Sequence, residues 1–330
     1  MIETIYIEES IRQHPRVIEI CNRFPLARKI SCNRYGEVFN PKAQNFHLQK
    51  QKPALILAEK YNKFVLPAPP GYGIGAANNF YFSHMLNCLY DCRYCFLQGM
   101  FNSANYVLFV NYEDFQDEIR QICLDNPDQP IHFFSGYDCD SLALEPVTRF
   151  AVEFLPIFEN IDNAWLELRT KSTQIRSLLD RAAIPRCVVA FSFTPDEIAK
   201  VIEHKAPSIE KRLDAMCKLQ ERGWLLGLRF DPVIFQSGWQ QQYRQLFAQV
   251  FSRIKLDLLH SVSLGAFRLP EQYFKKTHKL YPEEKLFAGP LEKTNGMISY
   301  RLQLEQEMLD FCRDAVLEYI PENKFFPCTI

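Results

Sequence analysis

The sequence predicts an α/β fold, a partial barrel in which parallel strands alternate with crossover helices. Three observations lead there. Apolar, β-branched runs recur at regular intervals with helix-spaced amphipathic segments between them, the pattern of repeated strand–helix–strand units. About six such units follow one another without a Gly-rich nucleotide loop, which favours a barrel over a doubly wound sheet. A chain of 330 residues with 47% apolar and 14% aromatic content can also bury a core of that size.

Taken in order, residues 1–75 form a loop-rich, basic N-terminal extension. Between Arg12 and Lys52 it carries Arg16, Arg23, Arg28, Lys29, Arg34, Lys42 and Lys50 against only Glu19 and Glu37. Interleaved Phe24, Tyr35, Phe39 and Phe46 make this a candidate nucleic-acid surface; a solvated charged face is the plainer reading. The Pro- and Gly-rich "LPAPPGYGIGAANN" closes it. The barrel is expected over 76–268, with strands at "FYFSHML" (80–86), "YVLFVN" (106–111), "PIHFFSG" (130–136), "AWLELRT" (164–170), "CVVAFSF" (187–193), "WLLGLRF" (224–230) and "HSVSLGAF" (260–267). Helices are expected at "YEDFQDEIRQICLD", "LEPVTRFAVEFLPIFEN", "TQIRSLLDRAA", "PSIEKRLDAMCKLQERG" and "WQQQYRQLFAQVFSRI". Residues 269–330 add a hairpin, signalled by Asn295-Gly296, and a long helix, "YRLQLEQEMLDFCRDAVLEYI".

Composition narrows the setting. A net charge of -1 gives no whole-molecule attraction to a polyanion. Eleven cysteines is an odd number, and "MIETIYIEES" lacks the apolar run of a signal peptide, so a reducing, cytoplasmic home is expected. No stretch is long enough to span a bilayer.

Chemistry concentrates in "NCLYDCRYCFLQG", residues 87–99, in the loop after the first barrel strand, at the end where barrel active sites lie. Thiolates are soft ligands for iron–sulfur clusters or zinc. A structural zinc site uses four closed ligands, usually as two spaced pairs. Cys88, Cys92 and Cys95 are three, spaced Cys-x3-Cys-x2-Cys, with no second pair following. A cubane cluster held by three thiolates keeps one iron open to a small molecule.

That loop, with Tyr94 before the last cysteine, resembles the radical S-adenosylmethionine enzymes. Within them, "CRYCFLQG", "DSLALEPVT", "LRTKS", "FSFTP" and "RLDAMCKLQERGWLLGLRFDPVI" followed by "GWQQQY" resemble the spore photoproduct lyase family over about residues 80 to 270. The resemblance implies a 4Fe-4S cluster on Cys88, Cys92 and Cys95 whose open iron chelates S-adenosylmethionine. Reductive cleavage then yields a 5'-deoxyadenosyl radical, which abstracts hydrogen from a methylene-bridged thymine dimer in DNA. It also implies an electron donor such as flavodoxin or ferredoxin; no membrane partner is expected, since no apolar stretch is long enough.

Residue by residue, the resemblance places Tyr94 near the cofactor, Lys171 on the S-adenosylmethionine carboxylate and Ser192 in contact with the cofactor. Phe96 stands where the family has a tyrosine of its hydrogen-return chain. Anchored on Asp140, Tyr137 stands where the family has the hydrogen-donating cysteine, and Cys139 where it has a cofactor-contacting serine; Cys139 supplies the hydrogen, or Tyr137 does as a poorer substitute, or the terminal step uses another group. From their strand-end positions, Asp140 and Asp231 are candidates for cofactor ribose or a base edge, the alternative being a helix cap. Arg149 and Arg169 are ion-pair or phosphate residues without assignment, and His84 is structural. Two other functions stay open: a radical enzyme acting on RNA, protein or a metabolite, and a nucleic-acid-binding protein with a structural metal.

Overall fold

In a computed structural model that describes residues 2–328, two large sheets and two small ones share the strands. In chain order these are β1 (Thr4–Glu8), β2 (Arg28–Cys32), β3 (Leu55–Ala58), β4 (Val65–Pro67), β5 (Asn78–Phe82), β6 (Met85–Leu86), β7 (Asp91–Cys92), β8 (Tyr106–Phe109) and β9 (Ile131–Ser135). They continue with β10 (Ala164–Thr170), β11 (Cys187–Ser192), β12 (Glu203–His204), β13 (Leu225–Val233), β14 (Leu259–Ala266), β15 (Arg268–Pro270), β16 (Leu291–Thr294) and β17 (Met297–Tyr300).

The larger sheet runs β14-β13-β11-β10-β9-β5-β4. Its strands from β5 to β14 are parallel, and only β4 at the edge is antiparallel. Each parallel strand lies beside the next one in the chain, the order of a barrel, yet among the described residues β14 does not pair with β4. The fold is therefore a partial (β/α)6 barrel. The C-terminal segment lines the open edge of β14: Phe326 N–H donates to the Val262 carbonyl at 2.9 Å and Cys328 N–H to that of Leu264 at 2.7 Å.

The barrel interior is polar where a closed barrel would be packed with branched chains. Glu167 and Arg169 share one face of β10, two residues apart. Arg229 from β13 reaches Glu167 at 2.6 Å and the Ser261 hydroxyl at 2.9 Å, and Arg169 reaches Glu167 at 2.9 Å. Burial works against the Glu167 charge, but the two guanidiniums outweigh it and hold the carboxyl at about 2.

Several expectations change. "YVLFVN" is a strand, but not of the barrel: β8 belongs to a five-stranded sheet of order β2-β1-β3-β8-β6. All four β8 residues are buried, and a strand covered on both faces reads the same in any parallel sheet. The run 80–86 divides, with β5 ending at Phe82 and β6 crossing into the other sheet to pair antiparallel with β8. Residues 1–75, expected to be a loop-rich extension, supply β1, β2 and β3, so this sheet crosses the boundary expected near residue 75. The helix expected from Leu144 is broken at Arg149, whose φ is 51°, and "TQIRSLLDRAA" gives one turn only, Arg176–Leu179.

The hairpin forms as expected between β16 and β17. Its turn residues Asn295 and Gly296 both have positive φ, 51° and 80°, as a two-residue turn matched to strand twist requires. A helix over Glu271–Leu280, not anticipated, precedes it.

Candidate active site at the barrel mouth

The cysteine loop leaves β6 through Asn87, an asparagine tolerating a φ of 69°. Its amide ties the loop down by donating to the carbonyls of Ser103 and Asn105 at 2.8 and 2.7 Å. Cys92 sits in β7, which pairs antiparallel with β12 and so sets Glu203 opposite it. Tyr90 N–H points at the Cys88 sulfur at 3.4 Å, and the Gln98 amide donates to Asp91 at 2.9 Å.

The three thiols flank one another. Burial pushes all three up, with Cys92 at about 12, and the neighbouring sulfurs add to the rise at Cys88 and Cys92. Such thiols ionise when a metal displaces their protons. Among the described residues, no three Cys, His, Asp or Glu side chains close on a single ion. The soft donor set fits a cluster in which each thiolate takes its own iron.

Gly99 ends this loop against the Glu271–Leu280 helix. A Cβ there would lie 2.3 Å from the Tyr273 carbonyl oxygen and 2.6 Å from its Cα, backbone atoms that cannot step aside. Gly99→Ala is expected to destabilise the protein by about 1–3 kcal/mol and to lower iron content after reconstitution, measured by denaturant unfolding and iron analysis. Unchanged values in both would show that helix and loop separate freely.

Facing the thiols is a network centred on Glu203, a residue that no sequence motif singled out. Glu203, buried, accepts from Tyr94 Oη, from Thr194 Oγ1 at 3.1 Å and from the Arg212 guanidinium. Arg212 also donates to the carbonyls of Ser192 at 2.9 Å and Pro207 at 2.9 Å, which joins the end of β11 to the wall behind the cluster loop. Lys171, at the end of β10, brings its Nζ to 4.0 Å from Glu203 and 5.4 Å from the Tyr94 ring centre. Burial opposes the Lys171 charge, but Glu203 prevails and holds its pKa above the ordinary value. The lysine is thus a cation beside Cys92 and Cys95, suited to an anionic ligand group there.

The loop after β9 splits its candidates between two sides. Cys139 is buried; burial first, then Cys88, Asp140 and Asp138, push its thiol well up, while a hydrogen bond from Met85 opposes them. Its sulfur therefore lies on the cluster side. Tyr137 turns the other way, its ring 4.4 Å from that of Tyr81 and 5.5 Å from that of Phe96. Asp140 is engaged by the chain itself. One oxygen accepts from Leu142 N–H at 3.0 Å, Ala143 N–H at 2.9 Å and Thr170 Oγ1 at 2.7 Å, and the other from Lys171 N–H at 2.7 Å. Through these four bonds Asp140 locks the loop to β10 and positions Lys171.

Ser192 ends β11 within this group. Asp231 does not join it: at the far side of the mouth it pairs with Arg268 at 3.2 Å, and it shares a small recess with Tyr72, Arg169, Ser263 and Cys328. His84 stacks on Phe150 at 3.8 Å, and burial alone lowers its pKa to about 3, leaving it neutral. Much of the basic N-terminal segment is occupied internally. Arg16 pairs with Glu113 at 3.0 Å, Arg23 with Glu19 at 2.8 Å, Lys50 with Asp91 at 3.6 Å and Lys52 with Glu3 at 3.1 Å.

With this geometry in view, comparison with known proteins is decisive. The family model "Spore photoproduct lyase" matches residues 77–297, two thirds of the chain. The chain belongs to the spore photoproduct lyase family. It is thus a radical S-adenosylmethionine enzyme of the lyase type, and the family's cofactors are a 4Fe-4S cluster and S-adenosylmethionine. The spore photoproduct lyase of Bacillus subtilis is 25% identical over 343 residues, covering 98% of this chain and 96% of that one. That of a Geobacillus species is 23% identical over 244 residues, covering 71% and 72%. A solved double mutant of spore photoproduct lyase, with bound AdoMet and dinucleoside spore photoproduct, has the same fold, with a TM-score of 0.87, 17% identity and coverage of 100% and 99%. Among the described residues, no helix is long and apolar enough to cross a membrane.

Proposed function

We propose that the protein repairs thymine-dimer lesions in DNA, reversing a methylene-bridged thymine pair. The observation that carries this reading is the gathering of three thiols, Lys171 and Tyr137 at one end of the six parallel strands, in a chain matched to the lyase family from β5 to the start of β17. Cys88, Cys92 and Cys95 hold the cluster; Lys171 binds the carboxylate of S-adenosylmethionine, with Ser192 beside it. When bound, these groups supply an organic radical that abstracts hydrogen from the lesion. Glu203 and Arg212 orient Lys171 and the end of β11. The Tyr81, Phe96 and Tyr137 rings line the mouth, which receives nucleotides flipped from the duplex. Tyr137, among the rings of that mouth, is the hydrogen donor this reading favours, and Cys139, on the cluster side, is the alternative. A low-potential carrier such as flavodoxin or ferredoxin delivers the electron.

The departures at Phe96 and Tyr137 favour a second reading, the same radical start on RNA, a protein or a metabolite. Anaerobic reconstitution with iron and sulfide, followed by incubation with S-adenosylmethionine, dithionite and dinucleoside spore photoproduct, separates the readings. Repair predicts 5'-deoxyadenosine together with restored thymine. 5'-Deoxyadenosine without restored thymine favours the second reading; none at all under reducing conditions returns the protein to a structural-metal role.

A further inference from the structure

Tyr137 does not stand alone. Tyr81 lies on β5 and Tyr137 follows β9, neighbouring parallel strands in which Tyr81 pairs with Phe134 and Phe82 with Ser135. The loop that leaves β9 beside β5 turns the Tyr137 ring onto that of Tyr81, 4.4 Å away and tilted by 33°. Phe96, on the other flank, carries no transferable hydrogen. Tyr72 is farther, at 6.1 Å and edge-on, with the Arg169 guanidinium over its ring. Burial, with the Tyr81 ring and the Asp138 carboxyl beside it, pushes Tyr137 up to about 12; burial and Asp138 raise Tyr81. Both phenols hold their hydrogens at neutral pH.

We propose that Tyr81 and Tyr137 form a two-ring relay that returns hydrogen to the product, Tyr137 as donor and Tyr81 as its resupply. The inference rests on the repair reading above. The product thymine carbon radical takes the Tyr137 hydroxyl hydrogen, so a C–H bond forms, the O–H bond breaks and a phenoxyl radical remains. Tyr81 then gives its hydroxyl hydrogen to Tyr137, the electron crossing between the two tilted rings and the proton moving between the oxygens. This restores Tyr137 and leaves the phenoxyl on Tyr81. One electron from the low-potential reductant that cofactor cleavage already consumes, and one proton from solvent, return Tyr81 to a phenol. The second ring has a physical purpose. A phenoxyl left on Tyr137 would adjoin the new C–H bond and could take the hydrogen back, whereas the same radical on Tyr81 is one ring removed.

Tyr81→Phe tests this, since it keeps the ring and its packing and removes only the O–H. In reconstituted protein with dinucleoside spore photoproduct, iron content and 5'-deoxyadenosine formation should persist. Restored thymine per 5'-deoxyadenosine should fall, with reductant-quenched side products in its place. Freeze-quenched electron paramagnetic resonance on protein grown with ring-deuterated tyrosine supplies a signature that packing alone would not move. Wild type should give a phenoxyl signal narrowed by the deuterons, Tyr81→Phe a signal changed in shape because the radical stays on Tyr137, and Tyr137→Phe none. A wild-type product ratio and an unchanged signal in Tyr81→Phe would overturn the relay. So would loss of hydrogen return in Cys139→Ala while both tyrosine variants repair normally. If wild type forms 5'-deoxyadenosine but restores no thymine, the repair reading itself falls, a result distinct from a relay defect.

Discussion

Replacing any one of Cys88, Cys92 and Cys95 by Ala abolishes the cluster: the expected result is loss of the reconstituted iron and sulfide, of its visible absorption, and of all 5'-deoxyadenosine formation. Each thiolate takes a separate iron, and the neighbouring thiols do not converge so as to share one. The fold should survive, because the loop is held by bonds that do not use sulfur. These include the Asn87 amide on Ser103 and Asn105 and the pairing of β7 with β12. Circular dichroism and denaturant unfolding check the fold, and iron and sulfide analysis checks the cluster. Stoichiometric zinc in the wild type, with no iron taken up under anaerobic reconstitution, would sink the cluster assignment.

Arg212→Leu should be the most destabilising change at the wall of the site, costing about 3–5 kcal/mol, because it strands the buried Glu203 carboxylate without its guanidinium. The carbonyls of Ser192 and Pro207 lose a donor as well. The cost should depend on pH. Burial alone would raise the Glu203 pKa, but Arg212 and then Lys171, with the hydrogen bonds from Tyr94 and Arg212, bring it below the ordinary 4.5. A carboxyl with a depressed folded pKa contributes stability above its unfolded value and loses it as pH falls through the folded value. The gap between wild type and Arg212→Leu is therefore full at pH 7 and narrows below about pH 4.5. Urea unfolding at pH 7 and at pH 3.5 measures it, and an equal gap at both would show that Glu203 is not the group concerned. The double variant Arg212→Leu, Glu203→Leu should recover part of the loss, since it removes the stranded charge.

The chemistry of this protein was legible in sequence because it is local. Three cysteines within eight residues and an aromatic before the last announce a cluster wherever they fold, and six strand–helix beats announce parallel strands. Lys171 and Ser192 were singled out by the resemblance of "LRTKS" and "FSFTP" to the lyase family, and both stand at the ends of apolar strands. Sheet membership was not local. "YVLFVN" and "PIHFFSG" are both apolar, doubly buried strands, and nothing within either says which partners it pairs with; β8 went to the first sheet because β3 and β6 lay beside it.

Side-chain direction lay equally beyond the sequence. Cys139 and Tyr137 are two residues apart in an irregular loop, where strand alternation does not apply, and only the packed loop turns one toward Cys88 and the other toward Tyr81. Asp140 looked like a ligand group by position; four chain donors made it a brace. Glu203 and Arg212 sit on elements separated from the cysteines by more than a hundred residues, and their partnership exists only once β12 is laid against β7. The sequence by itself determined which chemistry this chain can hold, since that depends on residue types at short spacing. Which residues meet that chemistry was decided by tertiary structure, because pairing and burial join groups that the chain keeps far apart.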